Sequence, residues 1–294
     1  MEFRSKYYLE IDIGARHMVF KRRMCESQIG PELMDRPEIL QRLFFPRLAS
    51  AEELTSPYGV NHSIEVEEGV SIGCRFYPAR TDAANILYFH GNGEIVPDYD
   101  YTAHLYQERG LNLFVADYRG YGFSNGTPTC KSVIRDAHFL FHGFVRFLSD
   151  EGYTGTLFVM GRSLGSAPAI EVAYHYQERL KGLIVESGFA STRNQFRRLG
   201  AHDLLKDVPS AIGFGNELKI REIHIPTLII HGEEDEIIPV EEGRALHALS
   251  GAREKASLFI PDAGHNDLMV RGRDAYMTAI EQFTSSISSQ GHGK

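Results

Sequence analysis

From residue 60 onward, short apolar runs alternate with stretches of helical periodicity. Val60–Val66 and Val70–Tyr77 read as two strands of a hairpin around the turn Glu68-Gly69. Further apolar runs follow at Ile86–Phe89, Leu111–Ala116, Thr156–Met160, Leu183–Val185, Thr227–Ile230 and Ser257–Ile260, each ended by a glycine-containing turn. Between them, Val133–Leu148 and Ala167–Arg179 carry helical spacing. Nearly continuous apolar strands interleaved with helices predict the α/β class, with a twisted, mostly parallel sheet of about eight strands covered by helices on both faces. In such a sheet, reactive groups belong on the loops at the C-terminal ends of the strands.

Before residue 57 the pattern differs. Leu9, Ile11 and Ile13 alternate with Glu10 and Asp12, as in a strand. Pro37 opens a helix expected to run through Phe45, with Ile39, Leu40, Leu43 and Phe44 on one face. Residues 1–57 are therefore expected to form an arm packed on a main domain of residues 58–284. Arg36, Arg42 and Arg47 flank apolar residues there, which leaves a partner- or membrane-contacting helix open as a second reading. Residues 187–225, with Phe189, Phe196, Leu199, Leu204, Leu205, Ile212 and Phe214, form the candidate cap. The serine-rich residues 285–294 are expected to form a frayed tail.

The loops after the strands carry the candidate chemistry. Gly161-Arg162-Ser163-Leu164-Gly165 follows one strand and precedes a helix, the G-x-S-x-G arrangement of a nucleophile elbow. Gly161 and Gly165 flank a turn too sharp for a Cβ on either side, and the turn lifts the Ser163 hydroxyl to the mouth of the sheet. A serine hydroxyl is barely ionised at neutral pH. It needs an imidazole to take its proton and a carboxylate to orient that imidazole. His265, after the last strand, and Asp235, after the one before it, supply these roles in the order Ser, Asp, His that this elbow requires. Glu186 stands in an alternative place for the acid, and Glu233, Glu234 and Glu236 crowd Asp235. His90-Gly91-Asn92-Gly93 follows the strand Ile86–Phe89. The backbone N–H groups of Asn92 and Leu164 are the expected oxyanion hole, a role for which the Asn92 side chain need not matter. Glu94 and Asp98 read as a solvated face, with repulsion of anionic substrates as the alternative. His138 and His142 stand four apart on a helix, but no third ligand is in view and no metal is expected.

Together with Ala116-Asp117-Tyr118-Arg119-Gly120-Tyr121-Gly122-Phe123-Ser124, these motifs resemble the α/β-hydrolase superfamily. The resemblance extends over about residues 60–282 and points to the small, lid-poor family that includes depalmitoylating α/β-hydrolase-domain proteins and bacterial relatives. It implies hydrolysis of an ester or thioester through an acyl-enzyme, with Asp117 structural. The cysteine-rich N-terminus of the depalmitoylating members is absent, which argues against a membrane-bound depalmitoylase. A peptidase or acyltransferase using the same triad remains open, as does a non-catalytic interaction protein, although the sequence shows neither a damaged triad nor a blocked oxyanion loop.

Composition narrows the partners. A net charge of −8 argues against a general nucleic-acid binder, because phosphate affinity comes from clustered Lys and Arg, and a small acyl substrate is the expected partner. The three cysteines, Cys25, Cys74 and Cys130, are widely spaced and lack a C-x-x-C pair, as expected in a reducing, cytoplasmic setting. No signal peptide and no transmembrane run is expected. No cofactor is implied, and a homo-oligomer is left open.

Overall fold

The computed structural model describes residues 10–12, 17–19, 34–198, 200 and 213–290. Near the N-terminus β1 (Glu10–Asp12) and β2 (His17–Val19) pair antiparallel. The main sheet contains β3 (Val60–Glu67), β4 (Val70–Tyr77), β5 (Ala84–Phe89), β6 (Leu111–Ala116), β7 (Leu157–Arg162), β8 (Gly182–Glu186), β9 (Thr227–Gly232) and β10 (Lys255–Ile260). Its spatial order is β10-β9-β8-β7-β5-β6-β4-β3. Strands β5 to β10 run parallel, and β4 is antiparallel to both β3 and β6.

Side-chain alternation divides the core between the two faces. Leu87 and Phe89 of β5, Phe114 and Ala116 of β6, and Leu183 and Val185 of β8 join one cluster. Their neighbours Ile86, Tyr88, Leu113, Val115 and Ile184 join the other. Because a strand turns successive side chains to opposite faces, burial on both sides makes these strands uniformly apolar. β3, at the sheet edge, instead alternates, with Ile64 and Val66 buried between exposed Ser63, Glu65 and Glu67.

On the first face lies the helix Cys130–Asp150, which starts three residues earlier than its apolar spacing indicates. Its true signal is a reciprocal cap. Thr129 Oγ1 accepts the Ser132 N–H at 2.9 Å, and Ser132 Oγ accepts the Thr129 N–H at 2.8 Å, which stabilises the end by about 1 kcal/mol. The helix Ser166–Tyr176 packs beside it and ends before Arg179. The other face is covered by Ala103–Gln107 and by Leu268–Gln290. The last helix takes in Ser285–Gln290, part of the segment expected as tail. Ile287 is buried there, and Ser288 Oγ lies 2.8 Å from Thr156 Oγ1. Apolar Ile287 gives the last turn a partner that a serine-rich composition hides.

The helix Pro37–Leu43 stops before Phe44 and Phe45, and buries Ile39 and Leu43. Of the candidate cap, Leu199, Leu204, Leu205 and Ile212 lie outside the described residues, as do Leu9 and Ile13 of the first expected strand and Cys25. Cys74 and Cys130 are buried free thiols. Among the described residues, no helix is long and apolar enough to cross a membrane.

Candidate active site

The strand order brings the loops after β5, β7, β9 and β10 to one end of the sheet. Ser163 follows β7 directly and has φ of 53°, a left-handed conformation that a serine adopts only where its surroundings enforce it. The turn is closed by contacts that tolerate no Cβ. An atom added at Gly161 would lie 2.1 Å from the Gly165 carbonyl oxygen, and one at Gly165 would lie 2.0 Å from that of Phe89.

Ser163 Oγ is 2.9 Å from His265 Nε2, and His265 Nδ1 is 2.7 Å from Asp235 Oδ2. A carboxylate can only accept, so Nδ1 carries the hydrogen and Nε2 is left to accept from the serine hydroxyl. Asp235 is itself fixed, its Oδ1 accepting the N–H groups of Ile237 at 2.9 Å and Ile238 at 2.7 Å. Burial pushes its carboxyl up, but bonds from His231, His265 and the Ile238 N–H outweigh that and hold it well below the usual carboxylate range. Glu186 takes a different set of partners. It accepts from Arg162 Nε at 3.1 Å, from the Tyr276 hydroxyl at 2.7 Å and from the Tyr88 hydroxyl at 3.2 Å. The register explains this, since Arg162 and Glu186 are paired neighbours on β7 and β8.

Ser163 and His265 are only 7% and 8% exposed, so the pair lies at the bottom of a recess. The cavity above them measures about 190 Å³. Asn92 and Leu164, the expected oxyanion donors, share its lining with Leu43, Phe189, Phe196, Phe214 and Ile237. Leu43 belongs to the N-terminal arm, a contribution that sequence spacing does not reveal.

The Asn92 side chain has three hydrogen-bond partners of its own. Its Oδ1 accepts the Tyr121 hydroxyl at 2.6 Å and the Phe45 N–H at 3.1 Å, while its amide donates to the Leu43 carbonyl at 2.6 Å. The arm continues along this loop, with Arg47 ion-paired to Asp98 and its carbonyl accepting the Gly122 N–H at 2.8 Å. Asn92 thus ties the extended chain after Leu43 to the loop after β5.

Glu94 is not on a solvated face either. It pairs with Arg162 and accepts the Gly91 N–H at 2.7 Å and the Tyr99 hydroxyl at 2.8 Å. Burial raises its pKa, but Arg162 and His90 more than compensate and keep it below the ordinary value. Asp117 braces the same loop from beneath, with its Oδ1 accepting from His90 Nε2 at 3.1 Å and from the Val96 N–H at 2.9 Å.

Away from this end, His138 acquires partners that its sequence neighbours do not disclose. His138 Nε2 and His175 Nε2 lie 3.1 and 3.0 Å from Glu171 Oε1, with Lys219 Nζ 2.5 Å from Oε2. His142 instead faces the Tyr176 hydroxyl at 3.1 Å. Two imidazoles and a carboxylate form a possible ligand set, but the Lys219 ammonium already neutralises Glu171 and would oppose a cation. The group reads as an ion-pair hub joining the helix Ser166–Tyr176 to the helices Cys130–Asp150 and Asn216–Lys219.

Comparison with known proteins agrees with this architecture. The family described as serine aminopeptidase, S33, matches residues 80–212. α/β Hydrolase domain-containing protein 17B of Homo sapiens is 30% identical over 74% of this chain and 72% of that protein. The uncharacterized protein YfhR of Salmonella typhi is 28% identical over 84% of this chain and 86% of its own length. Among solved structures, the Pyrococcus furiosus esterase Pf2001 superposes with a TM-score of 0.64 at 16% identity, covering 84% of this chain and 98% of the esterase. A soluble variant of Saccharomyces cerevisiae monoglyceride lipase gives 0.62 at 17% identity, over 80% of this chain and 99% of the lipase. These two likenesses concern the fold, and the family rests on the nearer sequence relatives. With an eight-stranded, mostly parallel sheet and a serine elbow at its C-terminal end, the chain belongs to the α/β-hydrolase superfamily, among the relatives of α/β hydrolase domain-containing protein 17.

Proposed function

We propose that this chain is a serine hydrolase that cleaves a carboxylic ester or thioester through an acyl-enzyme. The observation that carries this reading is the unbroken chain of hydrogen bonds from Ser163 through His265 to Asp235 at the base of a cavity. His265 Nε2 takes the hydroxyl proton as Ser163 Oγ attacks the acyl carbon. The Asn92 and Leu164 N–H groups receive the negative charge that develops on the carbonyl oxygen, a role worth roughly 3–4 kcal/mol per donor in related sites. The leaving alcohol or thiol departs with the proton from His265. Water, deprotonated by the same imidazole, then attacks the acyl-enzyme and releases the acid.

The lining favours a compact, apolar acyl group. The cavity is small, about 190 Å³, and Leu43, Leu164, Phe189, Phe196, Phe214 and Ile237 supply its apolar wall. An aminopeptidase reading is less well supported. A free α-amino group would need an acidic partner, and none of the described residues lining the cavity is Asp or Glu. Two buried free thiols suit a reducing, cytoplasmic setting.

Treatment with a fluorophosphonate, read by intact mass, tests the nucleophile without assuming a substrate. One adduct on the wild type and none on Ser163→Ala is expected, followed by faster turnover of short than of long acyl esters. A folded wild type that takes no adduct would refute the reading and return the non-catalytic alternative.

A further inference from the structure

Arg162 stands in the middle of the elbow sequence, yet its guanidinium reaches two other loops and the end of a neighbouring strand. Its Nε–H donates to Glu186 Oε1 at 3.1 Å, at the C-terminal end of β8. Nη1 donates to Glu94 Oε1 on the oxyanion loop. Nη2 donates to the backbone carbonyl of His265 at 2.7 Å and to Asn266 Oδ1 at 2.9 Å. Glu94 carries the connection onward by accepting the Gly91 N–H, one residue before Asn92. The approach is close enough that a Cβ on Gly91 would fall 2.6 Å from Arg162 Nη1.

Two features separate this arrangement from a substrate anchor. Four of the five N–H groups of the guanidinium are spent on protein acceptors. Two carboxylates also face one cation, so the group offers an anionic substrate no net attraction. What the fork does supply is geometry. A planar guanidinium with fixed N–H directions holds its acceptors in one relative position, whereas an ammonium on a flexible stem does not.

We propose that Arg162 and Glu94 form a positioning pair that sets the oxyanion loop and the His265 loop relative to Ser163. The proposal rests on the serine-hydrolase reading. Arg162 acts through the Asn92 N–H and through His265, and it touches no reacting atom. A small shift of either loop lengthens a transition-state hydrogen bond while leaving the acyl pocket intact, so kcat is the sensitive constant and KM is not.

The test compares wild type, Arg162→Gln, Arg162→Lys, Glu94→Gln and the Arg162→Gln/Glu94→Gln double variant, with Ser163→Ala as blank. Fluorophosphonate titration counts competent sites. Hydrolysis of p-nitrophenyl butyrate gives kcat and KM per site. A trifluoromethyl ketone of matched chain length forms a hemiketal oxyanion on the serine, so its Ki reports the oxyanion hole. Per-site kcat is expected to fall about tenfold to a hundredfold in Arg162→Gln, with Ki weakening in parallel and KM within about threefold of wild type. Lysine should restore little. The double variant should lose no more than about threefold beyond Arg162→Gln, because the two residues act as one unit.

A merely structural arginine would lower the count of competent sites and leave per-site kcat and Ki unchanged, and that result overturns the proposal. If Arg162→Gln fails to fold, Glu94→Gln decides by the same criteria, since its amide oxygen can keep the Gly91 and Tyr99 bonds while the ion pair is lost. A folded wild type that takes no adduct overturns the hydrolase reading and this one together. A reactive wild type with indifferent variants overturns this one alone.

Discussion

Replacing Asp235 by Asn removes one charge and changes the shape of the site very little. The Asn oxygen can still accept the Ile237 and Ile238 N–H groups, which now bind Asp235 Oδ1 at 2.9 and 2.7 Å. The new amide nitrogen then stands where Oδ2 receives His265 Nδ1 at 2.7 Å. Two donors cannot face one another, so the imidazole must move its hydrogen to Nε2. That nitrogen, 2.9 Å from Ser163 Oγ, then has no lone pair with which to take the serine proton. In a serine-protease triad the same exchange lowers kcat by about 10⁴-fold, or about 5 kcal/mol at 1.36 kcal/mol per factor of ten. A fall of about 10³–10⁴ is expected here with KM little changed, measured on p-nitrophenyl butyrate beside a thermal melt. The comparison variant is Glu186→Gln, whose carboxylate binds Arg162 and two tyrosines instead of His265. It should lose about tenfold at most in kcat, while a weakened buried ion pair costs about 1–3 kcal/mol of stability. Asp235→Asn keeping more than about one tenth of wild-type kcat, or Glu186→Gln losing as much as Asp235→Asn, would refute the assignment of the acid.

Two further perturbations address the surroundings of the site. Asn92→Ala should cost about 1–3 kcal/mol, because the Leu43 carbonyl loses its donor and the Tyr121 hydroxyl its acceptor. An unchanged Tm would show that the arm is not held through this side chain. Burial lowers the pKa of His142 to about 4. An unfolded chain accepts that proton near the ordinary value of about 6.5, so the unfolded state binds more protons between the two values. The stability this group contributes is therefore fully present above about pH 6.5 and is lost as pH falls toward 4. His142→Gln should flatten that part of the stability–pH curve in urea titrations. A slope equal to the wild type's would remove His142 as its source.

The elements most legible in the sequence are those whose chemistry is local. A strand buried on both faces must be apolar along its length, so β5, β6, β8 and β9 can be read directly. The elbow is equally exposed to reading, because a turn that forces Ser163 to a φ of 53° admits only small neighbours at 161 and 165. Chain order then nominates His265 and leaves Asp235 and Glu186 as rival acids. The local pattern Ile237-Ile238-Pro239 favours Asp235. Strand register sets Glu186 beside Arg162, and the adjacency of β9 and β10 brings Asp235 to His265.

The remaining features depend on segments far apart in the chain. Arg162 between an elbow glycine and its serine could have signalled a buried cation in need of carboxylates, but nothing nearby named Glu94 or Glu186 as the partners. Asn92 is informative by its backbone when only neighbours are considered, and by its side chain once the arm from Leu43 to Arg47 lies across it. The Glu171 hub likewise collects His138, His175 and Lys219 from three helices. Sequence alone determined the fold class, the strained serine turn and the residue types able to activate it, because backbone sterics and strand burial act between near neighbours. Tertiary structure alone decided which cation and hydroxyls hold Glu186 and what braces the loop after β5, because a buried charge finds its partner through strand order and packing, whatever the distance along the chain.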